Sequence, residues 1–236
     1  MRNYLSFGGG VNSVALHLLL LDQGVEFESV FVHHGTDWPE TYDYVAGFQW
    51  WLKQNGHKPI TVLRTKTTLE DYCNKYRMVP NMRMRWCTRD FKVKPLYKYF
   101  TPPAFCMLGI DYGEIKRAKL NTNKGFENRF PLIEYEIDRG GCKEIIKKYG
   151  LPVPMKSGCW ICPFQRAGQW KNLRHTHPDL FCKASIIEQN NYDMQTEKGK
   201  KGMYLSMRGV PLKTIVQEDQ MVLFEQDEYP PCQCGL

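Results

Sequence analysis

The chain has 236 residues, with 32 Lys plus Arg against 25 Asp plus Glu for a formal net charge of +7, and 42% of it is hydrophobic and 24% charged. That balance excludes a disordered, collagen-like or low-complexity chain. Folding at this length hides roughly 70% of the unfolded surface, enough for one compact domain with an appended tail or subdomain, and the positive charge favours anionic partners such as nucleotide, nucleic acid or an acidic membrane surface without choosing among them.

In chain order, Tyr4 to Phe7 reads as a strand and about Ser13 to Gln23 as a helix. Arg2 followed by Val14 to Leu21 imitates a signal peptide, but Asn12, Ser13 and His17 interrupt it and three glycines precede it, so a cytoplasmic protein is expected. No apolar run approaches the roughly 18 residues that span a bilayer, and no membrane partner is expected. Ser29 to His34 reads as a second strand, and Pro39, a good first-turn residue, opens a helix to about Asn55. Pro59 to Arg64 and Ala104 to Ile110 read as further strands. Strands alternating with helices predict an α/β fold, a parallel sheet flanked by helices. After Tyr149 the character changes to Pro, Gly and Cys, which places a boundary near 150 and predicts a body over 1–150 and a Cys-rich, mostly helical region over 151–236. No internal repeat is visible, and the tail's aromatics and cysteines predict that it packs back on the body.

Ser6-Phe7-Gly8-Gly9-Gly10-Val11-Asn12-Ser13 links the first strand to the first helix. Free backbone amides at such a helix start form an anion site, and glycines let the backbone approach a phosphate. The spacing is neither a Walker A loop, which needs Lys-Ser or Lys-Thr after the last glycine, nor G-x-G-x-x-G. By itself the loop is equally a tight strand-to-helix turn.

Four segments in order resemble the phosphoadenosine phosphosulfate (PAPS) reductase family of the PP-loop adenine-nucleotide α-hydrolase superfamily. Ser6 to Ser13 resembles S-F-S-G-G-x-D-S, with Gly9, Gly10 and Ser13 matching, Gly8 for the middle serine and Asn12 for the aspartate. His33 to Thr41 resembles D-T-G-x-x-F-P-E-T, with Gly35, Pro39, Glu40 and Thr41 matching and His33-His34 in place of Asp-Thr; the two histidines themselves read as packed core residues. Arg85 to Leu96 is similar to C-C/T-x-x-x-K-x-x-P-L, with the double cysteine reduced to Cys87, and Leu108 to Glu114 resembles G-I-R-x-x-E-S through Gly109, Ile110 and Glu114. The resemblance covers roughly residues 1 to 165 and implies a Rossmann-like (HUP-type) sheet whose 1–150 body binds adenine nucleotide. It implies nucleotide contacts at Ser6, Gly8, Gly9, Gly10, Asn12, Ser13, Gly35, Glu40, Gly109 and Glu114, with Lys92 and Arg89 screening phosphate charge and magnesium assisting.

Arg83, Arg85, Arg89, Lys92 and Lys94 concentrate positive charge around Cys87, which predicts anion binding and a thiolate there; a solvated basic face is the alternative. Cys159-x-x-Cys162 and Cys232-x-Cys234 are spacings that present two sulfurs to one metal. In the resemblance, Cys87, Cys159 and Cys162 match three ligands of the reductases' 4Fe-4S cluster and Thr88 leaves the fourth position open, either for Cys232 or as an open iron that carries sulfide; zinc on Cys159, Cys162, Cys232 and Cys234 is the other metal reading. Gln233-Cys234-Gly235-Leu236 resembles the reductases' E-C-G-L tail, which makes Cys234 the alternative nucleophile on a sulfonucleotide. Cys73, Cys106, Cys142 and Cys182 read as ordinary packed residues, and Trp50, Trp51 and Trp170 as core.

Three functions follow as expectations. The leading one is ATP cleavage at the α-phosphate, adenylating an acceptor that sulfur then attacks, with nucleic acid as an acceptor class and a sulfur or electron donor protein as partner. The second is reduction of PAPS or its 3′-dephospho form (APS) through Cys234. The third is a metal-stabilised nucleic-acid-binding protein without turnover, its charge and exposed aromatics supplying the contacts.

Overall fold

The computed structural model describes residues 1–120 and 125–217. Its elements run β1 (Arg2–Phe7), α1 (Val11–Asp22), β2 (Glu28–His33), α2 (Pro39–Gln54), β3 (Thr61–Arg64) and α3 (Leu69–Tyr76). A short turn α4 (Trp86–Thr88) passes through a π-helical stretch, Arg89–Val93, into α5 (Lys94–Tyr99), followed by β4 (Ala104–Leu108), a 3₁₀ segment Tyr112–Arg117, and β5 (Phe126–Arg129). Then come α6 (Pro131–Glu134), α7 (Arg139–Lys148), α8 (Ala167–Thr176), α9 (Pro178–Glu197) and α10 (Leu212–Gln217).

The five strands form one sheet in the order β3-β2-β1-β4-β5, and every pairing is parallel. Side chains alternate across it, as a pleated strand requires. Leu5, Phe7, Phe31 and Met107 face α1, α2 and α7, where they pack with Val14, Leu18, Phe48, Leu52 and Ile146. Tyr4, Val30, Val32 and Cys106 face the other way, onto Leu96 and Phe100 of the α5 region. A separate core joins Trp38, Leu69, Trp86 and Phe91 to Trp160, Ile161, Trp170, Leu173, Ile187 and Ile215, so the C-terminal helices share apolar packing with the segment before β4. Glu188, buried on α9, accepts the backbone N–H groups of Leu205 and Leu212 at 2.8 Å each and ties the C-terminal elements to one another.

The α/β parallel sheet agrees with the sequence expectation, and the element ends move by one or two residues, as helix and strand ends do. β5 went unforeseen because Phe-Glu-Asn-Arg carries one apolar residue; its buried Asn128 donates through Nδ2 to the Lys119 carbonyl at 3.1 Å. Two packing expectations differ from the structure. Cys182 is exposed, and Trp50 is 65% exposed because α2 turns it away from the sheet, whereas Trp51 packs against the main core and Trp170 is fully buried. Among the described residues, no helix is long and apolar enough to cross a membrane.

Candidate active-site cleft

Sequential β1 and β2 lie side by side and β4 enters on the other flank of β1, so the strand order reverses between β1 and β4. In open α/β sheets the crevice beyond the strand ends at that reversal takes ligands. Here it is a cleft of about 160 Å³, lined by the β1–α1 loop from Ser6 to Ser13 apart from Gly9, by Asp37, by Lys92 and Leu96, by Leu108, Gly109, Ile110 and Glu114, and by Arg117, Arg139, Lys156 and Ser157. Four cations against two carboxylates give its lining a net positive charge.

The loop geometry explains its glycines. Gly9 has φ +70° and packs on Thr41 and Val45, a left-handed conformation that a side chain resists and a contact that it would crowd. Gly10 precedes α1 with extended backbone and no side chain caps the helix, so the amides of its first turn are not consumed by a cap. Ser13 Oγ donates to the Gly10 carbonyl at 3.0 Å and holds the loop closed. Gly109 approaches from β4 so closely that a Cβ would stand 3.0 Å from Ser13 N and 3.1 Å from the Asn12 carbonyl carbon. Asn12 is buried, donates through Nδ2 to Asp111 Oδ2 at 2.9 Å and accepts from Arg139 at 3.5 Å.

A second group lies at the end of β2. Asp37 and Cys159 form an antiparallel bridge, with Trp38 N donating to the Gly158 carbonyl and Trp160 N to the Thr36 carbonyl. That pairing brings the Cys159-x-x-Cys162 segment to the cleft wall. Burial alone would raise the Asp37 carboxyl, but His34 and Lys92 beside it hold it well below the usual carboxylate range. Asp37 Oδ2 stands 3.1 Å from His34 Nε2 and Oδ1 stands 3.5 Å from Lys92 Nζ. Glu114 is raised by burial, against the Arg117 guanidinium 2.5 Å away; its Oε1 is buried with no hydrogen-bond partner.

The structure thus gathers Ser6, Gly8, Gly10, Asn12, Ser13, Lys92, Gly109 and Glu114 at one cleft, with Gly9 beneath the loop. Gly35 stays outside the lining; its φ of +83° and its closeness to Thr68 make it a turn residue. Glu40 also lies outside, bonded to His177 at 2.8 Å, and Arg89 pairs with Asp90 at 2.8 Å on the surface. Cys87, Cys159 and Cys162 belong to one apolar cluster. Burial pushes the Cys87 thiol up, with Lys92 acting against it, a shift opposite in direction to the one expected from the surrounding basic residues. His34 is indeed buried, but in contact with Asp37 and Cys159 rather than in an apolar core, and His33 stacks on Tyr42. Cys232 and Cys234 lie outside the described residues. Asp37, Asp111, Arg117, Arg139, Lys156 and Ser157 escaped the sequence reading. Asp37 had a signal, an acid just beyond a strand's C-terminal end and inside a matched segment.

Each of the four family-like segments contributes lining residues: the Ser6–Ser13 loop, Asp37, Lys92 with Leu96, and Leu108 to Glu114. No protein-family model matches the chain. An uncharacterized protein of Methanocaldococcus jannaschii is 26% identical over 214 residues, 81% of this chain and 50% of that protein, so the chain spans about half the length of the curated relative it matches. Among solved structures, the chain is similar to phosphoadenylyl-sulfate (PAPS) reductase from Candida auris in a phosphate complex, at 15% identity and a TM-score of 0.46 over 65% of this chain and 75% of that one. It is also similar to the U34-tRNA thiolase NcsA from Methanococcus maripaludis, which holds a 4Fe-4S cluster, at 14% identity and a TM-score of 0.47 over 80% of this chain and 70% of that one.

Proposed function

We propose that this PAPS-reductase-like cleft binds ATP with its phosphates over the Ser6–Ser13 loop and cleaves it between the α- and β-phosphates, in an enzyme of sulfur chemistry. The observation that carries the reading is the uncapped start of α1 opening onto the same cleft as Lys92, Arg117, Arg139 and Lys156. A triphosphate carries about four negative charges, and fixed amides and guanidinium groups stabilise it and the charge that develops on the leaving pyrophosphate. An acceptor oxygen attacks the α-phosphorus, pyrophosphate leaves, and a sulfur nucleophile then displaces AMP from the adenylated acceptor. Magnesium fits at Glu114, whose Oε1 is buried and unpartnered at the cleft wall; it would neutralise phosphate charge there. The acceptor class is nucleic acid, in keeping with the net charge of +7.

An iron–sulfur cluster takes cysteine thiolates. Cys159, however, meets an imidazole and a carboxylate, a mixed donor set, and no step of this reaction is routed through a cluster.

The test is pyrophosphate release from ATP and magnesium, with hydrosulfide and RNA as co-substrates, beside sulfite release from PAPS. Pyrophosphate without sulfite supports adenylation. Sulfite release that requires Cys234 would replace it with sulfonucleotide reduction. Lys156→Met should weaken ATP binding about tenfold or more, the size of one charge-assisted contact, and Ser13→Ala should slow turnover by loosening the loop; unchanged values for both would remove the phosphates from this loop.

A further inference from the structure

At the edge of the cleft, three donor side chains from two distant segments meet around one point. His34 is fully buried, Asp37 is 4% exposed and Cys159 7% exposed. One ligand atom of each lies within 4.8 Å of the other two, the one such grouping of three or more among the described residues. His34 Nε2 is 3.1 Å from Asp37 Oδ2, and Cys159 Sγ is 3.8 Å from both His34 Nε2 and Asp37 Oδ1. A tetrahedral zinc ion, with nitrogen and oxygen at about 2.0–2.2 Å and sulfur at about 2.3 Å, holds its ligand atoms roughly 3.3–3.7 Å apart. The His34–Asp37 and His34–Cys159 separations lie within about 0.2 Å of that pattern before any ion has drawn the ligands in; the sulfur meets the other carboxylate oxygen, Oδ1, so one Asp37 oxygen completes the set after a small turn of the carboxylate. A plain buried ion pair accounts for His34 and Asp37, but not for a thiol equidistant from both.

The surroundings hold the donors in that arrangement. His34 Nδ1 is bonded to Thr36 Oγ1 at 2.9 Å, which fixes the ring with Nε2 toward Asp37 and Cys159; a second partner on the far nitrogen is what a ligating histidine ordinarily has. Lys92 sits on Asp37 Oδ1, leaving Oδ2 turned to the imidazole. The backbone bridge between Asp37 and Cys159 clamps the two segments, and Trp38, Trp160 and Ile161 are buried around it. Imidazole, carboxylate and thiolate together suit a borderline ion such as zinc better than magnesium or calcium, which prefer all-oxygen sites.

We propose that His34, Asp37 and Cys159 bind one Zn²⁺ ion, with the fourth coordination position open toward the cleft that Asp37 lines. Three protein ligands and one open position are the pattern of a zinc site that takes a water or a substrate group. Binding forms the zinc–sulfur bond and releases the thiol proton to solvent. The inference stands on donor geometry and does not depend on the nucleotide reading: zinc binding and pyrophosphate release can fail separately.

The full chain, purified without added metal and stripped with a chelator, is titrated with Zn²⁺ and, in parallel, with Co²⁺. One zinc per chain is expected, and cobalt should give visible tetrahedral bands with a near-ultraviolet thiolate-to-cobalt absorption. His34→Gln, Asp37→Asn and Cys159→Ser should each weaken zinc binding by about tenfold or more, while Cys162→Ser and Cys232→Ser leave it within about twofold. A cobalt complex of the parent chain without thiolate absorption would overturn the site without recourse to any variant. So would purification with iron and acid-labile sulfide in place of zinc. Loss of zinc in Cys162→Ser or Cys232→Ser would assign the ion to the cysteine pairs instead.

Discussion

Restoring the family-like acid in the loop, Asn12→Asp, should destabilise this protein. Asn12 is buried and its amide donates to Asp111 Oδ2 at 2.9 Å, with Asp111 only 3% exposed. An aspartate there sets two carboxylates against each other at hydrogen-bond distance, and two such groups cannot both ionise without cost. Arg139, 3.5 Å from Asn12 Oδ1, offsets part of that repulsion. What remains costs on the order of 1–3 kcal/mol at pH 7, or about 3–12 °C of melting temperature for a chain of this size. The sign follows from proton counting. The folded variant keeps a proton that the unfolded chain has released, so its stability relative to the parent falls as pH rises above the ordinary aspartate range and recovers as the shared proton returns on acidification. Urea melts of both proteins at pH 7 and pH 5 read the difference directly. A variant as stable as its parent at pH 7, with a gap that does not narrow at pH 5, would mean that Asn12 and Asp111 are not coupled as the structure has them.

Three further outcomes follow from buried groups. Burial, with the His57 charge second, lowers His17 from 6.5 to about 3, so the unfolded chain binds the extra proton between those values. Stability contributed by neutral His17 is then complete above pH 6.5 and falls by about 1.4 kcal/mol per unit as pH drops toward 3; His17→Phe should flatten the difference between urea melts at pH 7 and pH 5, and an unchanged slope would assign the acid limb elsewhere. Glu188→Ala leaves the Leu205 and Leu212 amides without their acceptor and opens a void, for a loss of about 2–4 kcal/mol, part of it recovered by Glu188→Gln. Equal stability of all three proteins would show that water takes over both amides. Gly109→Ala puts a methyl group against the Ser13 amide and should weaken ATP binding more than it lowers the melting temperature, because the atoms it displaces are those of the loop; calorimetric titration beside a thermal melt separates the two.

The sheet was legible in the sequence because parallel strands buried on both faces are written as short apolar runs, such as Val30-Phe31-Val32, separated by helix-length polar patterns. β5 was not, since an edge strand next to β4 needs only Phe126 for the core and carries polar residues at the remaining positions. At the site, the loop and Lys92 were legible because they sit at fixed spacings. Arg139 and Lys156 were not: nothing local marks a lysine or arginine whose importance comes from the chain returning to the cleft after β5. Arg89 and Glu40 went the other way. Each sits inside a matched segment, yet helical geometry turns Arg89 to Asp90 and Glu40 to His177.

His34, Asp37 and Cys159 carry that argument furthest. Read along the sequence, His34 was a packed ring, Asp37 carried no role, and Cys159 belonged with Cys162 three residues on. Bridge pairing between residues 36–38 and 158–160 sets Cys159 beside Asp37 and His34, a neighbourhood that its spacing from Cys162 does not announce. The donors that converge are therefore chosen by backbone pairing across more than a hundred residues. A spacing rule such as C-x-x-C proposes two ligands from one loop, whereas the folded chain offers one of those cysteines to a histidine and an aspartate from the end of β2. With Cys159 the single sulfur ligand, the cobalt complex should show the thiolate charge-transfer absorption of one sulfur, and Cys162→Ser should leave that absorption unchanged.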